Sequence, residues 1–459
     1  MKTLRPIFSL LLGLFFLIVG HGMQIALIPL RAKAEGWSDV EIGGIGSAYY
    51  IGFVLGCIGA PYLIRRAGHI RAFTALVAVL SSAMVAHPLW VAFPVWFGLR
   101  MLLGAALAGL YMVLESWVND RASNTNRGLS MSAYIMVNYG ALALGQVMVT
   151  LYSPLEFSLF AIAAISMSLA AIPLALTQQA QPVPVAMVRF RPLALYRVSP
   201  VGFIGVTASG IANGSFWSLG AVAAVGVGLS SRDAALFMGI VTAAGAIAQW
   251  PVGRFSDRID RRVVLIVLLV LAVVVGLLFA FLPIAGAGWF ILAIFFGAAI
   301  APTYSIAAAH TYDYAAKGTT VETAAGLFLA NSGGAIIGPL IAAQVMFYLG
   351  SSRLFLFTAI VHAALGTYIF LRLRSRQSVA TALKTQYSSG ATAPAGSGIA
   401  PEAVDPADPN VATPPAEPPL PKDAAPFGSA EPASGAPPTG SDEPPPASPE
   451  TPTDPDAAR

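Results

Sequence analysis

Residues 96–111 read WFGLRMLLGAALAGLY, and residues 289–304 read WFILAIFFGAAIAPTY. Trp96-Phe97, Gly104 and Tyr111 of the first stretch return as Trp289-Phe290, Gly297 and Tyr304 of the second, each 193 residues later. The same offset of 193 carries Asn138, Gly140 and Gly145 onto Asn331, Gly333 and Gly338, and Arg65 and Arg66 onto Arg258 and its neighbour. The chain is therefore built from two copies of one unit. Both quoted stretches lie inside apolar runs long enough to cross a bilayer as a helix, which needs about 20 residues.

Composition agrees with that setting. Of 459 residues only 10% are charged and 56% are apolar, against roughly 25% charged in a soluble protein. Mean hydropathy is +0.72. So few charges could not cover a soluble core of this size, so the chain is read as an integral membrane protein with the lipid bilayer as its main partner. A single cysteine, Cys57, excludes a disulfide framework or a cysteine-based metal site. No H-E-x-x-H, G-x-x-x-x-G-K-[ST] or G-x-S-x-G stretch occurs in suitable context. No enzyme activity, cofactor, metal or nucleic-acid partner is expected, and the chain by itself is not an ATP-driven pump.

Twelve spans emerge, near 7–30, 41–63, 72–90, 94–118, 130–152, 157–177, 199–228, 233–252, 263–284, 287–310, 322–347 and 352–373. Six per unit keep both copies in the same orientation, as parallel repeats about an axis along the membrane normal. The expected organisation is a first six-helix bundle at 1–177, a linker at 178–198, a second bundle at 199–376 and a tail at 377–459. Residues 391–459 hold eleven Asp/Glu, two Lys/Arg and nineteen of the 34 prolines. That composition cannot repay ordering entropy, so the tail is expected to be disordered.

Lys and Arg in short loops orient the chain. With the N-terminus inside, nineteen fall on the cytoplasmic side, among them Arg65, Arg66, Arg71, Arg258, Arg261 and Arg262. Arg31, Lys33, Arg232 and Arg353 fall outside. Both termini are thus expected in the cytoplasm. Lys2 and Arg5 before the first apolar run would also suit a secretory signal. That run, at 7–30, is too long for a signal core of about 7–15 residues.

Polar residues inside spans should face protein or water. Spans three, six, nine and twelve hold almost none, His87 and His362 aside. The others carry His21 and Gln24 in span one, Arg100, Tyr111 and Glu115 in span four, Asn138 in span five, Asn213 and Trp217 in span seven, Tyr304 in span ten and Asn331 in span eleven. Every third helix is peripheral, and the rest surround a polar pathway between the repeats. His21, Gln24, Arg100, Tyr111, Asn138, Asn213, Trp217, Tyr304 and Asn331 are its candidate lining.

After span eight the chain reads Gly253-Arg254-Phe255-Ser256-Asp257-Arg258-Ile259-Asp260-Arg261-Arg262. This resembles the G-x-x-x-D-R-x-G-R-R loop of the major facilitator superfamily, with Asp260 at the second glycine. The first copy, Pro61 to His69, is degenerate and has Arg65 where the family has Asp. Arg100 to Gly104 is similar to the R-x-x-Q-G element. Glu115-Ser116, Asn126-Arg127-Gly128, Ala133-Tyr134, Leu144-Gly145-Gln146 and Gln249-Trp250-Pro251 look like the YcaD-like branch of bacterial transporters. Gly334-x-x-x-Gly338-Pro339 resembles an element that drug:proton antiporters carry in span five, where this chain has Gly145-Gln146. The resemblance covers residues 1–375. It implies an all-α membrane protein of twelve transmembrane helices, in the bacterial inner membrane. It further implies a secondary active transporter that moves a small-molecule substrate by alternating access. A monomer is expected. Uptake or efflux, and proton coupling, stay open. The alternative is a transport-inactive scaffold or sensor with the same fold.

Coupling or gating is assigned to Glu115, Arg65, Arg66, Asp257, Arg258 and Arg261. Asp257 at a helix end can pair with cations or a helix N-terminus and hold one state of a gate. Glu115 lies fifteen residues after Arg100, about 22 Å along a helix and near the cytoplasmic end. That depth favours an ion-pair partner of Arg65, Arg66 or Arg71 over a proton carrier. Arg100 either attracts a substrate anion, tunes a proton site or is satisfied by helix carbonyls.

Overall fold

A computed structural model describes residues 7–121, 127–177, 192–284, 286–316 and 319–373. All of these residues belong to one unit. Most of the linker (178–191) and the whole of the tail lie outside the described residues.

Among the described residues twelve long helices follow one another: α1 (Phe8–Ala34), α2 (Asp39–Ala67), α3 (His69–Leu89), α4 (Phe93–Arg121), α5 (Arg127–Met148), α6 (Phe157–Leu169, continued by Ala171–Ala175), α7 (Pro200–Gly226), α8 (Ser231–Arg258), α9 (Arg261–Phe281), α10 (Ala287–Tyr312), α11 (Thr320–Leu349) and α12 (Arg353–Leu373). Among the described residues, eleven helices are long and apolar enough to span a membrane by themselves. The twelfth long helix, α7, is diluted by glycine and by Ser209, Asn213, Ser215 and Ser218. At 27 residues it is still about 40 Å long, and its small residues let neighbours approach.

Turn chemistry sets the boundaries. Ser38 caps α2 in a reciprocal box with Glu41. Ser230 caps α8 in the second repeat, accepting from the Asp233 backbone N–H at 3.1 Å. The repeated tryptophans act at the start of α4 and α10. Trp96 donates its indole N–H to His87 O at 2.9 Å, and Trp289 donates to Ile284 O at 2.9 Å. Trp96 thus pins the last turn of α3, and Trp289 the turn that follows α9.

Packing repeats with the sequence. In the first half α1 packs on α5 and α6, α2 on α4, and α3 on α4 and α6. In the second half α7 packs on α11 and α12, α8 on α10, and α9 on α10 and α12. The repeated glycines lie at these crossings. A Cβ on Gly104 would run into Tyr49 O, and one on Gly297 into Val241 O; Gly145 abuts Val19 O, and Gly338 abuts Ile211 O. With no hydrophobic drive between helices in lipid, such close approach supplies the packing energy. The halves meet through α1, α2 and α5 against α7, α8 and α11. The peripheral helices read from the sequence, α3, α6, α9 and α12, are not among them.

Contact between the halves is concentrated at the end that carries the α1–α2 turn. There Gly43 lies under Pro339 and Ala343, and Gly46 under Ser218. Ser47 Oγ donates to Ile336 O at 2.7 Å, and Thr242 Oγ1 donates to Gln146 Oε1 at 2.6 Å. Near mid-depth Phe53 rests on Phe328 with ring centroids 5.6 Å apart. Toward the α2–α3 end the α5–α8 seam parts. Gly239 of α8 sits against Ala143 O and Val147 of α5; on the same two faces, Met136, two turns before Ala143, is 75% exposed, and Trp250, three turns after Gly239, is 69% exposed.

Candidate functional site

The crossings just described place the polar side chains. Gly104 lets α4 lie on the α2 backbone, so Arg100, one turn earlier, reaches Ile45 and Tyr49. Gly145 seats α5 on α1 and carries Asn138 toward His21. In the second half Gly210 abuts the Asn331 backbone, which brings α7 and α11 together beside Asn213.

Between the halves lies a cavity of about 270 Å³. His21, Arg100, Tyr111 and Asn138 line it from the first half, and Asn213, Trp217, Tyr304 and Asn331 from the second. Tyr111 donates its hydroxyl proton to Asn138 Oδ1 at 3.1 Å. Tyr304 and Asn331, the repeat counterparts of that pair, stand on the other side of the same space. Among the described residues, none of α3, α6, α9 or α12 is in the lining.

Gln24 differs from its sequence-based placement. It is fully buried, outside the lining, with Nε2 2.9 Å from His21 Nδ1. Three residues further along a helix is about 60° short of a full turn, enough to put Gln24 behind His21 rather than beside it. Its contact orients the imidazole, which stacks on Tyr49 at 6.0 Å.

Arg100 is 6% exposed. Its Nε donates to Ile45 O at 3.3 Å, and its guanidinium lies 4.7 Å from the Tyr49 ring centre. Nη1 is buried and has no hydrogen-bond partner. Sequence reasoning passed over Tyr49, Tyr50, Phe53 and Phe328, all in the lining. Adjacent tyrosines in the middle of span two were the available signal.

The gating candidates lie elsewhere. Glu115 is fully buried and accepts from the Tyr134 hydroxyl at 3.3 Å; it is not in the cavity lining. Arg65 and Arg66 are exposed at the α2–α3 end, with the Arg65 guanidinium 5.0 Å from the Tyr62 ring centre. At the same end of the second half, Arg261 is buried to 1% of its side chain. It binds Asp313 at 2.8 Å and Asp257 at 3.4 Å, and its Nη1 donates to Ser256 Oγ at 3.4 Å. Asp257 thus finds its cation within its own half. Arg258 is exposed. Asp260 takes up Arg262 at 2.7 Å and caps α9 through the Arg262 backbone N–H. Burial raises the Asp260 pKa, but the hydrogen bonds and charge of Arg262 outweigh it and hold the carboxyl below its ordinary range. A carboxylate at this position therefore replaces the motif's glycine with a cap. Asp313 escaped the sequence reading, although it stands 193 residues after Asp120 and so belongs to the repeat.

Comparison with known proteins follows the same lines. The family model described as Major Facilitator Superfamily matches residues 10–328 and 202–403. An uncharacterized MFS-type transporter of Enterobacter sp. strain 638 is 30% identical over 382 residues, 82% of this chain and 96% of that one. The MFS-type transporter YcaD of Escherichia coli O7:K1 is 27% identical over 376 residues, 81% of this chain and 96% of its own length. Among solved structures, the nucleoside transporter NupG superposes with a TM-score of 0.68 at 13% identity, covering 82% of this chain and 100% of its own. A bacterial homologue of the human lysosomal transporter Spinster, in an inward-facing and occupied conformation, superposes with a TM-score of 0.67 at 16% identity, covering 81% and 98%. At these identities the two structures share the fold.

Proposed function

Because the chain belongs to the major facilitator superfamily, we propose that it is a secondary transporter, carrying a small molecule through the central cavity by alternating access. The observation that carries this reading is where the halves touch. They are closed at the α1–α2 end by Gly43, Gly46, Ser47 and Thr242, and the α5–α8 seam parts at the other. A cavity held between two repeats, sealed on one side, is one half of an alternating cycle. The two bodies that rock are the bundles 1–177 and 199–376. An alternating transporter must open its two ends in turn, whereas a transport-inactive scaffold need not; distances between the halves at each end separate the two.

The α2–α3 end carries Arg65, Arg66, Arg71, Arg258, Arg261 and Arg262, so by the positive-inside rule it is cytoplasmic. The cavity then faces the cytoplasm, and both termini lie inside. On the opposite end two of the four cations are neutralised, Arg31 by Glu35 at 2.6 Å and Lys33 by Asp39 at 2.9 Å. Reporter fusions after Thr177 and Leu373 should both be active only as cytoplasmic reporters. A periplasmic signal at either position would overturn the orientation.

Tyr134 supplies Glu115 with a hydrogen bond inside the first bundle, away from the cavity lining. That supports a structural role over proton carriage. The charges around Arg261 tie α8, α9 and α10 of one half together, so their part in gating is to make that end of the half move as one piece.

A further inference from the structure

We infer that Arg100 is the anion-binding pole of the cavity, and that the transported solute is a small aromatic monocarboxylate. A guanidinium offers five N–H donors in a planar fork. Here Nε is used on Ile45 O, one face lies on Tyr49, and Nη1 is buried with no acceptor. Burying an uncompensated cation is costly, and a single carboxylate within reach would offset it.

No such carboxylate is supplied by the protein: among the described residues, no Asp or Glu lines the cavity. The acids nearest in sequence to that end of α2 are engaged elsewhere, Glu35 with Arg31, Asp39 with Lys33 and Glu41 in the Ser38 capping box. Glu115 stands about 22 Å further along α4. The cavity therefore carries one positive charge and has room for one matching negative charge. It lies toward the closed end, at the floor of the space.

The rest of the lining describes the body of the solute. Tyr49, Tyr50, Phe53, Trp217 and Phe328 present aromatic surface, suited to a flat apolar group. Asn213, on the opposite half, has a buried Oδ1 without a partner. That oxygen accepts from an N–H or O–H, so a solute that carries one donor besides its carboxylate would bridge the two halves. The volume of about 270 Å³ admits one ring with a short side chain.

The test uses the full chain in detergent, with benzoate, phenylacetate and 3-phenylpropionate each compared with its amide at equal ionic strength. At least one carboxylate should raise the unfolding temperature in a saturable way, and its amide should not. Arg100→Gln should weaken that binding by roughly tenfold or more, the loss expected for a charge-assisted hydrogen bond. Should the glutamine variant not fold, Arg100→Lys, which keeps the charge, should still prefer the carboxylate. The assignment is overturned if no carboxylate shifts the transition, if the amide shifts it equally, if Arg100→Gln binds the carboxylate unchanged, or if Arg100→Lys loses the preference. All of this presupposes that the cavity is the solute site of an alternating transporter. Failure of that reading would appear as unchanging distances between the halves, which none of these binding outcomes produces.

Discussion

Gly104→Val is expected to abolish the folded protein, and Gly297→Val to do the same from the other repeat. At Gly104 the first atom of any side chain meets Tyr49 O, and at Gly297 it meets Val241 O. These obstacles are backbone atoms of a neighbouring helix, so no rotamer change relieves the clash. The helices would have to separate along the crossing. Overpacking of an ordinary core costs about 1–3 kcal/mol when side chains can yield; here they cannot, and the α2–α4 contact that positions Arg100 would go with the crossing. Gly140 and Gly333 are also repeat-related, yet a Cβ on either meets nothing within 4 Å. Gly140→Val and Gly333→Val should therefore elute from size exclusion as the parent does, while the other two variants lose the monodisperse peak. Equal behaviour of all four would mean that the crossings are not where the fold is held.

Asp313→Asn should destabilise the second half by about 3–5 kcal/mol, the usual cost of leaving one member of a buried ion pair without its partner. The Asp313 side chain is 3% exposed and that of Arg261 is 1% exposed, so water cannot take the carboxylate's place. Asp257, at 3.4 Å and 34% exposed, offers partial compensation and makes the lower end of that range the better expectation. Removing both charges at once, as Arg261→Met with Asp313→Leu, should recover much of the loss, because the desolvation penalty disappears with the pair. Unfolding temperatures of the single and double variants provide the check. A double variant no better than Asp313→Asn would mean that the pair contributes more than its charges.

Much of this was legible in the residues. The offset of 193 recovered the repeat because Trp96, Gly104 and Tyr111 each do one repeated job: pinning a helix end, admitting a crossing and facing the cavity. The polar residues of the spans led to the cavity because burying a polar group in lipid is costly enough to exclude it from lipid-facing positions. Gln24 was misplaced because composition tells that a polar group is inside, but not which way a helix turns within its neighbours. Asp313 was missed for a related reason. Its partner Arg261 is 52 residues away, and only packing of α9 on α10 brings them together. The low hydropathy of α7 shows the same limit from the other side, since a helix surrounded by protein need not be apolar.

Alternating access requires the two ends to open in turn. Spin labels placed on a Cys57→Ser background at Gly36 and Gly228 report the α1–α2 end, and labels at Arg66 and Arg258 report the α2–α3 end. In liposomes each pair should show two distance populations. The population in which Gly36 and Gly228 are farther apart should be the one in which Arg66 and Arg258 are closer, and one added solute should shift both pairs in opposite senses. A single fixed distance for each pair, under every solute and pH tried, would contradict alternating access and leave the scaffold reading in its place.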